Sequence, residues 1–313
     1  MRAVGSEPEI VPNPAVKRHE FRFLHRLRVR WAEVDMQGIV FNAHYLMYVD
    51  VGMTEYWRAL ALPYAQAMQQ LGGDLYVRKA TLEFAASARM DDCLDVALRC
   101  ERIGNSSITM TAAVFRGEQA LVGAEVVYVF ADPASQTART VPAPLRALIE
   151  QYEAGQDVLR IVTGPWDALR HDAAPLRRAV FVDEQGIPEA EEWDAADTHA
   201  LHAVAYNGLG QAVGTGRLLA TAPGQGKIGR MAVHRTLRGA GVGRRVLQAL
   251  EDAARARGEH TLRLSAQRSA LPFYARLGWQ VEGDPYDEVG IPHQSMVKHL
   301  GGPSGTATPC CGT

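Results

Sequence analysis

The spacing of apolar residues changes from helical to alternating within the first half of this chain, and that change constrains the fold more than any other feature. Apolar side chains recur at helical spacing across residues 43–62 and then alternate at a period of two from residue 75 to residue 130. A period near 3.6 indicates an amphipathic helix, whereas a period of two indicates strands with one buried face. Turn residues divide the second segment into predicted strands at residues 75–87, 93–103, 106–115 and 120–130. With a further strand predicted at residues 21–31, the pattern predicts an antiparallel sheet wrapped around one long helix.

The second half of the chain alternates strands and helices, which predicts an α/β domain with a mixed sheet. Its predicted strands lie near residues 158–162, 201–206, 213–220, 227–234 and 260–266, and its clearest helix covers residues 242–257. The 313 residues suffice for two domains of ordinary size. We therefore predict a first domain at residues 21–153 and a second at residues 157–300. We expect a flexible lead-in at residues 1–20 and a disordered tail at residues 301–313.

Charge and cysteine usage exclude several functional classes. The formal net charge is −2, from 33 Lys and Arg and 35 Asp and Glu, which disfavours a nucleic-acid or membrane-surface partner. No apolar run approaches the roughly 20 residues of a membrane helix, so we expect a cytoplasmic protein. The ten histidines lack the spacing of a zinc site, so we expect no metal. Cys93 and Cys100 are predicted to be buried free thiols, and Cys310 and Cys311 to belong to the tail.

An acidic residue lies between the first predicted strand and the long helix. Asp35 is followed by Gly38, which permits a tight turn, and by Asn42 at the predicted N-cap of the helix. The amides of Asn42, Ala43 and His44 would stabilise a developing oxyanion. Asp35 would attack a carbonyl directly or activate a water molecule. From spacing alone, an Asp in this place is more often a turn or cap residue.

The stretch from Asp35 to Tyr45, Asp-x-x-Gly-x-Val-x-Asn-x-x-Tyr, resembles the signature of 4-hydroxybenzoyl-CoA thioesterase-like hot-dog proteins of the YbgC/FadM type. The resemblance covers about residues 20–152. It implies an α+β hot-dog domain that hydrolyses acyl-CoA thioesters, with Asp35 as nucleophile or general base. It also implies a homodimer or homotetramer, because the sites of this family form between subunits.

The resemblance leaves open the roles of several residues of the helix. Some members of the family have His where this chain has Asn42, and Asn where it has His44. Glu55 occupies a helix position where a related branch uses a carboxylate, although a salt-bridged or solvated Glu is the simpler interpretation. Tyr56 and Trp57 are predicted to belong to the core or to line an acyl pocket.

A glycine-rich turn opens the helix at residues 242–257. Residues 238–243 read Arg-Gly-Ala-Gly-Val-Gly, and such a turn lets unpaired backbone amides approach a pyrophosphate. The turn resembles the pyrophosphate loop of GNAT-family N-acetyltransferases. Four stretches in family order, at residues 179–185, 228–233, 273–279 and 290–293, resemble the ElaA-type branch. The resemblance covers about residues 157–300 and implies an α/β GNAT domain that binds acetyl-CoA between the strands near His234 and His260.

The same resemblance implies roles for individual residues. It assigns the pyrophosphate to the backbone amides of Arg238, Gly239, Ala240, Gly241, Val242, Gly243 and Arg244. It assigns the thioester carbonyl to a backbone N–H of Met231, Ala232 or Val233. It implies that Tyr274 protonates the departing thiolate. The base that takes a proton from the amine remains open between Glu184, Glu288 and His293, and Asp197 and His202 are expected to be turn and strand residues rather than a catalytic dyad.

The sequence thus predicts a bifunctional enzyme. One domain would hydrolyse acyl-CoA thioesters, and the other would transfer an acetyl group from acetyl-CoA to an unknown amine. Acyl-CoA and acetyl-CoA would be substrates, with no tightly bound cofactor. The alternatives are a thioesterase carrying a catalytically silent CoA-binding module, and a non-catalytic acyl-CoA sensor.

Overall fold

The computed structural model describes residues 16–301, and the chain forms two compact units. The first ends at Val158 and the second begins at Leu159. Of the predicted lead-in, Arg18–Glu20 form one 3₁₀ turn, and Arg18 pairs with the buried Asp95 at 2.8 Å. The rest of that segment and nearly all of the predicted tail, including Cys310 and Cys311, lie outside the described residues. No helix in the part of the chain described here is long and apolar enough to cross a membrane.

The first unit consists of five strands and three helices. These are β1 (Phe23–Arg28), α1 (Asn42–Ala59), α2 (Tyr64–Leu71), β2 (Asp74–Phe84), β3 (Cys93–Ile103), β4 (Ser107–Arg116), β5 (Gln119–Ala131) and α3 (Ala143–Glu153). The sheet order is β1-β3-β4-β5-β2, and every neighbouring pair is antiparallel. The predicted combination of one long helix and an antiparallel sheet is therefore confirmed, but the predicted four-strand meander is wrong in part, because β2 pairs with β5 and only β3, β4 and β5 follow one another in the sheet.

Helix α1 packs directly on the sheet. Its buried positions recur at helical spacing, from Tyr45 through Val49 to Met53 and Tyr56. Gly52 allows the close approach, since a Cβ there would lie 2.6 Å from the Leu98 Cδ1 atom of β3. The helix stops before the predicted residue 62, because the backbone turns left-handed at residue 61 (φ 54°).

The two cysteines of β3 differ from the prediction. Cys93 is exposed at the start of the strand, next to the turn that precedes it, so the prediction of two buried thiols is wrong. Cys100 is half-buried, and burial raises the pKa of its thiol to about 12.

The second unit is a mixed sheet with flanking helices. Its strands are β6 (Arg160–Pro165), β7 (Leu201–Tyr206), β8 (Ala212–Ala222), β9 (Gln225–Val233), β10 (Thr261–Gln267), β11 (Gln280–Val281), β12 (Tyr286–Glu288) and β13 (Ile291–His299). Its α-helices are α4 (Trp166–Arg177), α5 (Glu189–Glu192), α6 (Val242–Ala256) and α7 (Leu271–Ala275), and a π-helical segment, Arg178–Glu184, extends α4. The main sheet order is β11-β13-β10-β9-β8-β7-β6, and β12 pairs with β13.

The parallel strands β9 and β10 diverge part-way along their length. Their pairing runs from Gln225 opposite Thr261 to Ile228 opposite Leu264 and ends there, although both strands continue. Beyond this point β9 carries an irregularity at Arg230, whose φ is 51°. The divergence opens the sheet between these two strands.

Helix α6 lies close to β8 because two glycines of that strand face it. A Cβ at Gly214 would lie 2.7 Å from Val242 Cγ1, and a Cβ at Gly216 would lie 2.8 Å from Leu250 Cδ1. The helix therefore packs against bare backbone at these positions. The distance between α6 and β8 therefore determines the position of the glycine-rich loop that precedes α6.

Candidate functional site

Asp35 lies in the tight turn that links β1 to α1. Its backbone N–H donates to the Ile39 carbonyl at 2.9 Å and its carbonyl accepts the Gly38 N–H at 3.0 Å. Its Oδ1 atom accepts the Gln37 N–H at 2.8 Å. The side chain therefore supports its own turn, and a carboxylate retains further acceptor sites after one such bond.

The start of α1 differs from the prediction. Phe41, not Asn42, occupies the N-cap, because its N–H donates to the Glu33 carbonyl and its carbonyl accepts the His44 N–H, both at 2.9 Å. The predicted use of the His44 amide for an oxyanion is thus wrong, since that amide is already paired. Asn42 and Ala43 are exposed in the first turn, where backbone amides lack partners within the helix. The Nδ1 atom of His44 is buried and has no hydrogen-bond partner among residues 16–301.

A buried glutamate, which the sequence analysis missed, closes the turn that carries Asp35. Glu33 is only 3% exposed and accepts the Arg30 N–H at 2.8 Å, the Arg30 Nε–H at 2.7 Å and the Tyr48 hydroxyl at 2.7 Å. Burial alone would raise the pKa of Glu33, but these donors outweigh it and hold the pKa below its ordinary value. The three-residue spacing of Arg30 and Glu33 was the available signal, since it matches a reciprocal cap.

Glu55 and Tyr56 lie far from this turn within the unit. Glu55 is 13 residues beyond Asn42 on α1, roughly 20 Å along the helix axis. Its carboxylate pairs with Arg58, which agrees with the simpler interpretation of this residue. Tyr56 is fully buried in the core, and its hydroxyl donates to Glu153 at 2.5 Å.

Apolar side chains are exposed around the Asp35 turn and along the edge strand β2. Trp31 is 79% exposed and Met36 is completely exposed. The other large apolar side chains with high exposure in this unit are Phe41, Leu46, Met47, Val51, Tyr76, Val77, Phe84 and Met90. A contiguous exposed apolar patch can mark an interaction surface.

A cleft of about 280 Å³ lies in the second unit where β9 and β10 diverge. Met231 lines it from β9, but Ala232 and Val233 lie further along the strand and do not. The hairpin of β12 and β13 contributes Glu288, Val289 and His293. The cleft therefore brings together residues from both diverging strands and the hairpin beside them.

Tyr274 lines the same cleft from helix α7. Its ring packs edge-on against Phe273, with centroids 4.9 Å apart, and against Trp279 at 6.2 Å. Burial raises the pKa of its hydroxyl to about 12, so the group keeps its proton at neutral pH. A buried, protonated hydroxyl at the wall of a cleft can donate a proton to a neighbouring anion.

The glycine-rich turn precedes α6 as the sequence predicted. Gly239 and Gly241 have φ values of 88° and 86°, a conformation that favours glycine, and Gly241 is the N-cap. No side chain caps this helix end, so its first-turn amides retain donor capacity. Val242 is buried and Arg244 is exposed, while Gly243 packs near Val233.

The three candidate bases differ in their surroundings. Glu184 does not line the cleft; its Oε1 and Oε2 accept from Arg238 at 2.5 and 2.8 Å. Arg238 holds the pKa of Glu184 below its usual range. Glu288 lines the cleft and accepts the Ser265 hydroxyl at 3.0 Å, and His293 lines it with Nδ1 2.7 Å from the Ile291 carbonyl. The geometry therefore favours Glu288 and His293 over Glu184.

Behind one wall of this cleft lies a buried ionic cluster that sequence reasoning missed. Its members are Arg177, Glu192, Asp194, Asp197, Arg217 and Arg230. Arg177 contacts two tryptophan rings, 5.1 Å from the centroid of Trp166 and 4.8 Å from that of Trp193. His202 touches the cluster through the Asp197 carbonyl, and burial lowers the pKa of its imidazole. Asp197 lies in a 3₁₀ turn and His202 in β7, where the sequence placed them.

Comparisons with known proteins agree with these two architectures. The family model described as "Acetyltransferase (GNAT) domain" matches residues 169–300, and the model described as "Thioesterase superfamily" matches residues 37–123. The uncharacterized N-acetyltransferase YjcF of Bacillus subtilis is 40% identical over 128 residues, which are 41% of this chain and 90% of that protein. The uncharacterized protein YyaT of the same organism is 34% identical over 147 residues, 46% of this chain and 96% of that protein.

Solved structures of both kinds are similar to parts of the chain. A putative N-acetyltransferase from Lactobacillus plantarum is 35% identical, with a TM-score of 0.44, and the match covers 46% of this chain and 99% of that one. A 1,4-dihydroxy-2-naphthoyl-CoA thioesterase from Synechocystis is 20% identical, with a TM-score of 0.38, covering 41% of this chain and 94% of that one.

The folds and matches define a two-domain protein with a hot-dog domain of the thioesterase superfamily followed by an acetyltransferase domain. Through its second unit, the chain belongs to the GNAT family of acetyltransferases.

Proposed function

We propose that each unit processes a CoA thioester: the first hydrolyses acyl-CoA, and the second transfers an acetyl group from acetyl-CoA to an amine. One observation carries the second half of this proposal. The sheet opens after Ile228 and Leu264, and the resulting cleft is lined by the buried hydroxyl of Tyr274. The uncapped amides at Gly241 supply donors suited to a pyrophosphate.

The transfer reaction needs two proton movements. The amine nitrogen attacks the carbonyl carbon of acetyl-CoA, so a C–N bond forms and the C–S bond breaks. The amine gives up one proton to Glu288 or His293, and the CoA thiolate takes one proton from Tyr274. The proton on the base then returns to Tyr274 through solvent. A backbone N–H of the segment from Met231 to Val233 would polarise the thioester carbonyl.

The hydrolysis reaction would use the Asp35 turn. Asp35 either attacks the thioester carbonyl carbon to form an anhydride that water hydrolyses, or removes a proton from the attacking water. In both routes the hydroxyl of water ends on the acyl carbon and its other proton ends on the CoA sulfur. The exposed amides of Asn42 and Ala43 would stabilise the oxyanion.

The exposed apolar surface of the first unit supports a homodimer or homotetramer. Strand β2 is an edge strand, and the exposed apolar side chains Tyr76, Val77 and Phe84 lie on it. An uncovered edge of this kind pairs readily with another strand. The apolar side chains beside Asp35 would then contact the partner subunit. Light scattering on the intact chain measures the assembly, and a monomer at micromolar concentration would contradict it.

Release of CoA thiol from a panel of acyl-CoA substrates tests the hydrolysis. We expect turnover that Asp35→Asn abolishes, with Glu118→Gln, on an exposed turn of the same unit, as the charge-matched control. Full turnover by a folded Asp35→Asn variant would show that the role given to Asp35 is wrong. CoA binding without any thiol release would favour a sensor.

Mass detection of acetylated product from a panel of amines tests the transfer. We expect Tyr274→Phe to lower kcat by roughly 10²-fold while acetyl-CoA binding persists. Binding of acetyl-CoA without acetylation of any amine would favour a catalytically silent module. An unchanged kcat in Tyr274→Phe would remove that residue from the mechanism.

A further inference from the structure

The cations of the cleft between β9 and β10 are distributed unevenly. Three basic side chains line it on the β8 and β9 side, namely Arg217, Lys227 and Arg230. Lys227 is exposed and forms no ion pair with any residue between 16 and 301. Its ammonium group is therefore a cation at the cleft without a protein counter-charge.

The two arginines belong to the buried ionic cluster, where they share Asp194 as a partner. Asp194 accepts from Arg217 at 2.6 and 3.0 Å and from Arg230 at 3.2 Å. Glu192 pairs with Arg177 and Arg230, so three acids face three arginines in the cluster. The carboxylates of the cluster are thus all engaged by its arginines and do not pair with Lys227.

Arg217 also has a donor that the protein leaves unused. Its side chain is 7% exposed, and its Nε atom has no hydrogen-bond partner among the described residues. A buried donor without an acceptor is unfavourable, and more so on a charged group. Because Nε itself is buried, an anion in the cleft would stabilise Arg217 through its charge and not through a direct hydrogen bond to this atom.

The acidic side chains of the cleft do not cancel this preference. They are Glu191, Glu192 and Glu288. Glu192 forms ion pairs with Arg177 and Arg230, and Glu288 accepts a hydrogen bond from the Ser265 hydroxyl. Glu191 is exposed and, like Lys227, is screened by solvent and salt, and the two side chains form no ion pair with each other.

The register of the sheet relates the backbone position of Lys227 to that of the strand residue that contacts the candidate base. Lys227 lies opposite Arg263 of β10, and Glu288 is bonded to Ser265, two residues further along that strand. Two strand residues span about 6.6 Å. An acceptor that reaches both groups therefore carries its amine and its anionic group only a few bonds apart.

We propose that the amine acceptor of the second unit is a small aminocarboxylate, whose carboxylate binds Lys227 at the wall formed with Arg217 and Arg230 while its amino group faces Glu288. This rests on the proposed acetyl transfer. The step is the one described above: the amino nitrogen bonds to the acetyl carbon, the C–S bond breaks, Glu288 receives the amine proton and CoA leaves as the thiol.

Matched amine pairs test the proposal on the intact chain with acetyl-CoA. The pairs are 4-aminobutanoate with butylamine and β-alanine with propylamine, which differ mainly in the carboxylate. We expect the wild type to favour each aminocarboxylate by roughly 10- to 100-fold in kcat/KM, as a charge-assisted contact provides. Lys227→Met should remove this preference through KM, and Lys227→Arg should retain most of it. Arg276→Met, an exposed charge outside the cleft, should leave it unchanged.

Two results would overturn the proposal. One is equal kcat/KM for both members of each pair in the wild type, and the other is an equal loss for both members in Lys227→Met. If no amine is acetylated, the transfer function itself fails, and binding then decides the acceptor class. Calorimetric titration of N-acetyl-4-aminobutanoate into the CoA-loaded chain should show binding that Lys227→Met weakens at least tenfold; absence of binding to the wild type would refute the carboxylate site.

Discussion

Replacing Tyr48 with Phe removes one hydroxyl from the contacts that close the Asp35 turn. The hydroxyl donates to Glu33 Oε2 at 2.7 Å, and a hydrogen bond to a charged group contributes about 1.5–3 kcal/mol. The same oxygen also accepts the Arg30 N–H at 2.8 Å, so the carboxylate is not left without a donor. We therefore expect the free energy of opening the turn to fall by about 1.5 kcal/mol, roughly tenfold in the opening equilibrium.

Hydrogen exchange of the intact chain, followed by mass spectrometry, measures this opening directly. Peptides that cover residues 30–41 should exchange about tenfold faster in Tyr48→Phe. Thioester hydrolysis should fall as well, because Asp35 lies in the same turn. The control is Tyr64→Phe, which removes a similar 2.5 Å bond to Asp74 and should leave residues 30–41 unchanged. If Tyr48→Phe leaves both the exchange rate of residues 30–41 and the rate of thioester hydrolysis unchanged, the reasoning is refuted.

The same variant has a defined pH dependence. The pKa of Glu33 lies below its ordinary value of about 4.3, because the donors outweigh the effect of burial. The stabilisation from Glu33 is thus fully present above that ordinary value and is lost as the pH falls through the lower, folded pKa. Tyr48→Phe removes one of the donors, so its folded pKa lies closer to the ordinary value. We expect its turn to open at a higher pH than that of the wild type, in exchange rates corrected for intrinsic pH effects.

Three further substitutions test other parts of the structure. Glu288→Gln should lower kcat for acetyl transfer by about 10²-fold, whereas Glu184→Gln should leave kcat unchanged; equal losses would contradict the assignment of the base. Gly241→Ala, at a φ of 86°, should weaken acetyl-CoA binding by roughly 5- to 30-fold in a titration, and wild-type affinity would show that the loop does not need this conformation. Gly52→Ala should destabilise α1 by about 1 kcal/mol, because crowding against Val96 and Leu98 outweighs the gain in helix propensity; slower exchange in α1 would reverse that conclusion.

Strand positions were largely predictable because alternation and turn residues are local signals. The prediction for residues 93–103 coincides with β3, and that for residues 201–206 coincides with β7. The N-cap of α1 was not predictable in this way. Asn is a strong N-cap residue, yet the contact of Phe41 with the Glu33 carbonyl, eight residues away, starts the helix one residue earlier.

Buried charges escaped the sequence analysis because pattern-based reasoning assigns charged residues to the surface. Arg177 is 1% exposed, and only its distant partners, Glu192 and Trp193 among them, explain its burial. The base for acetyl transfer could not be chosen from the sequence for the same reason, since contacts between distant residues decide it. Glu184 and Arg238 are 54 residues apart, so their pairing is a property of the fold and not of any local motif.

The glycines of β8 limit which substitutions this strand can accept without moving α6. Gly214 and Gly216 belong to no recognisable motif and touch no proposed substrate, yet they determine how near α6 lies to the sheet. Libraries that spare the glycine-rich loop but randomise this strand would still displace the loop by pushing its helix outward. Screening such libraries for CoA affinity, and not only for expression, would therefore show that substitutions in β8 weaken CoA binding although β8 does not contain the loop.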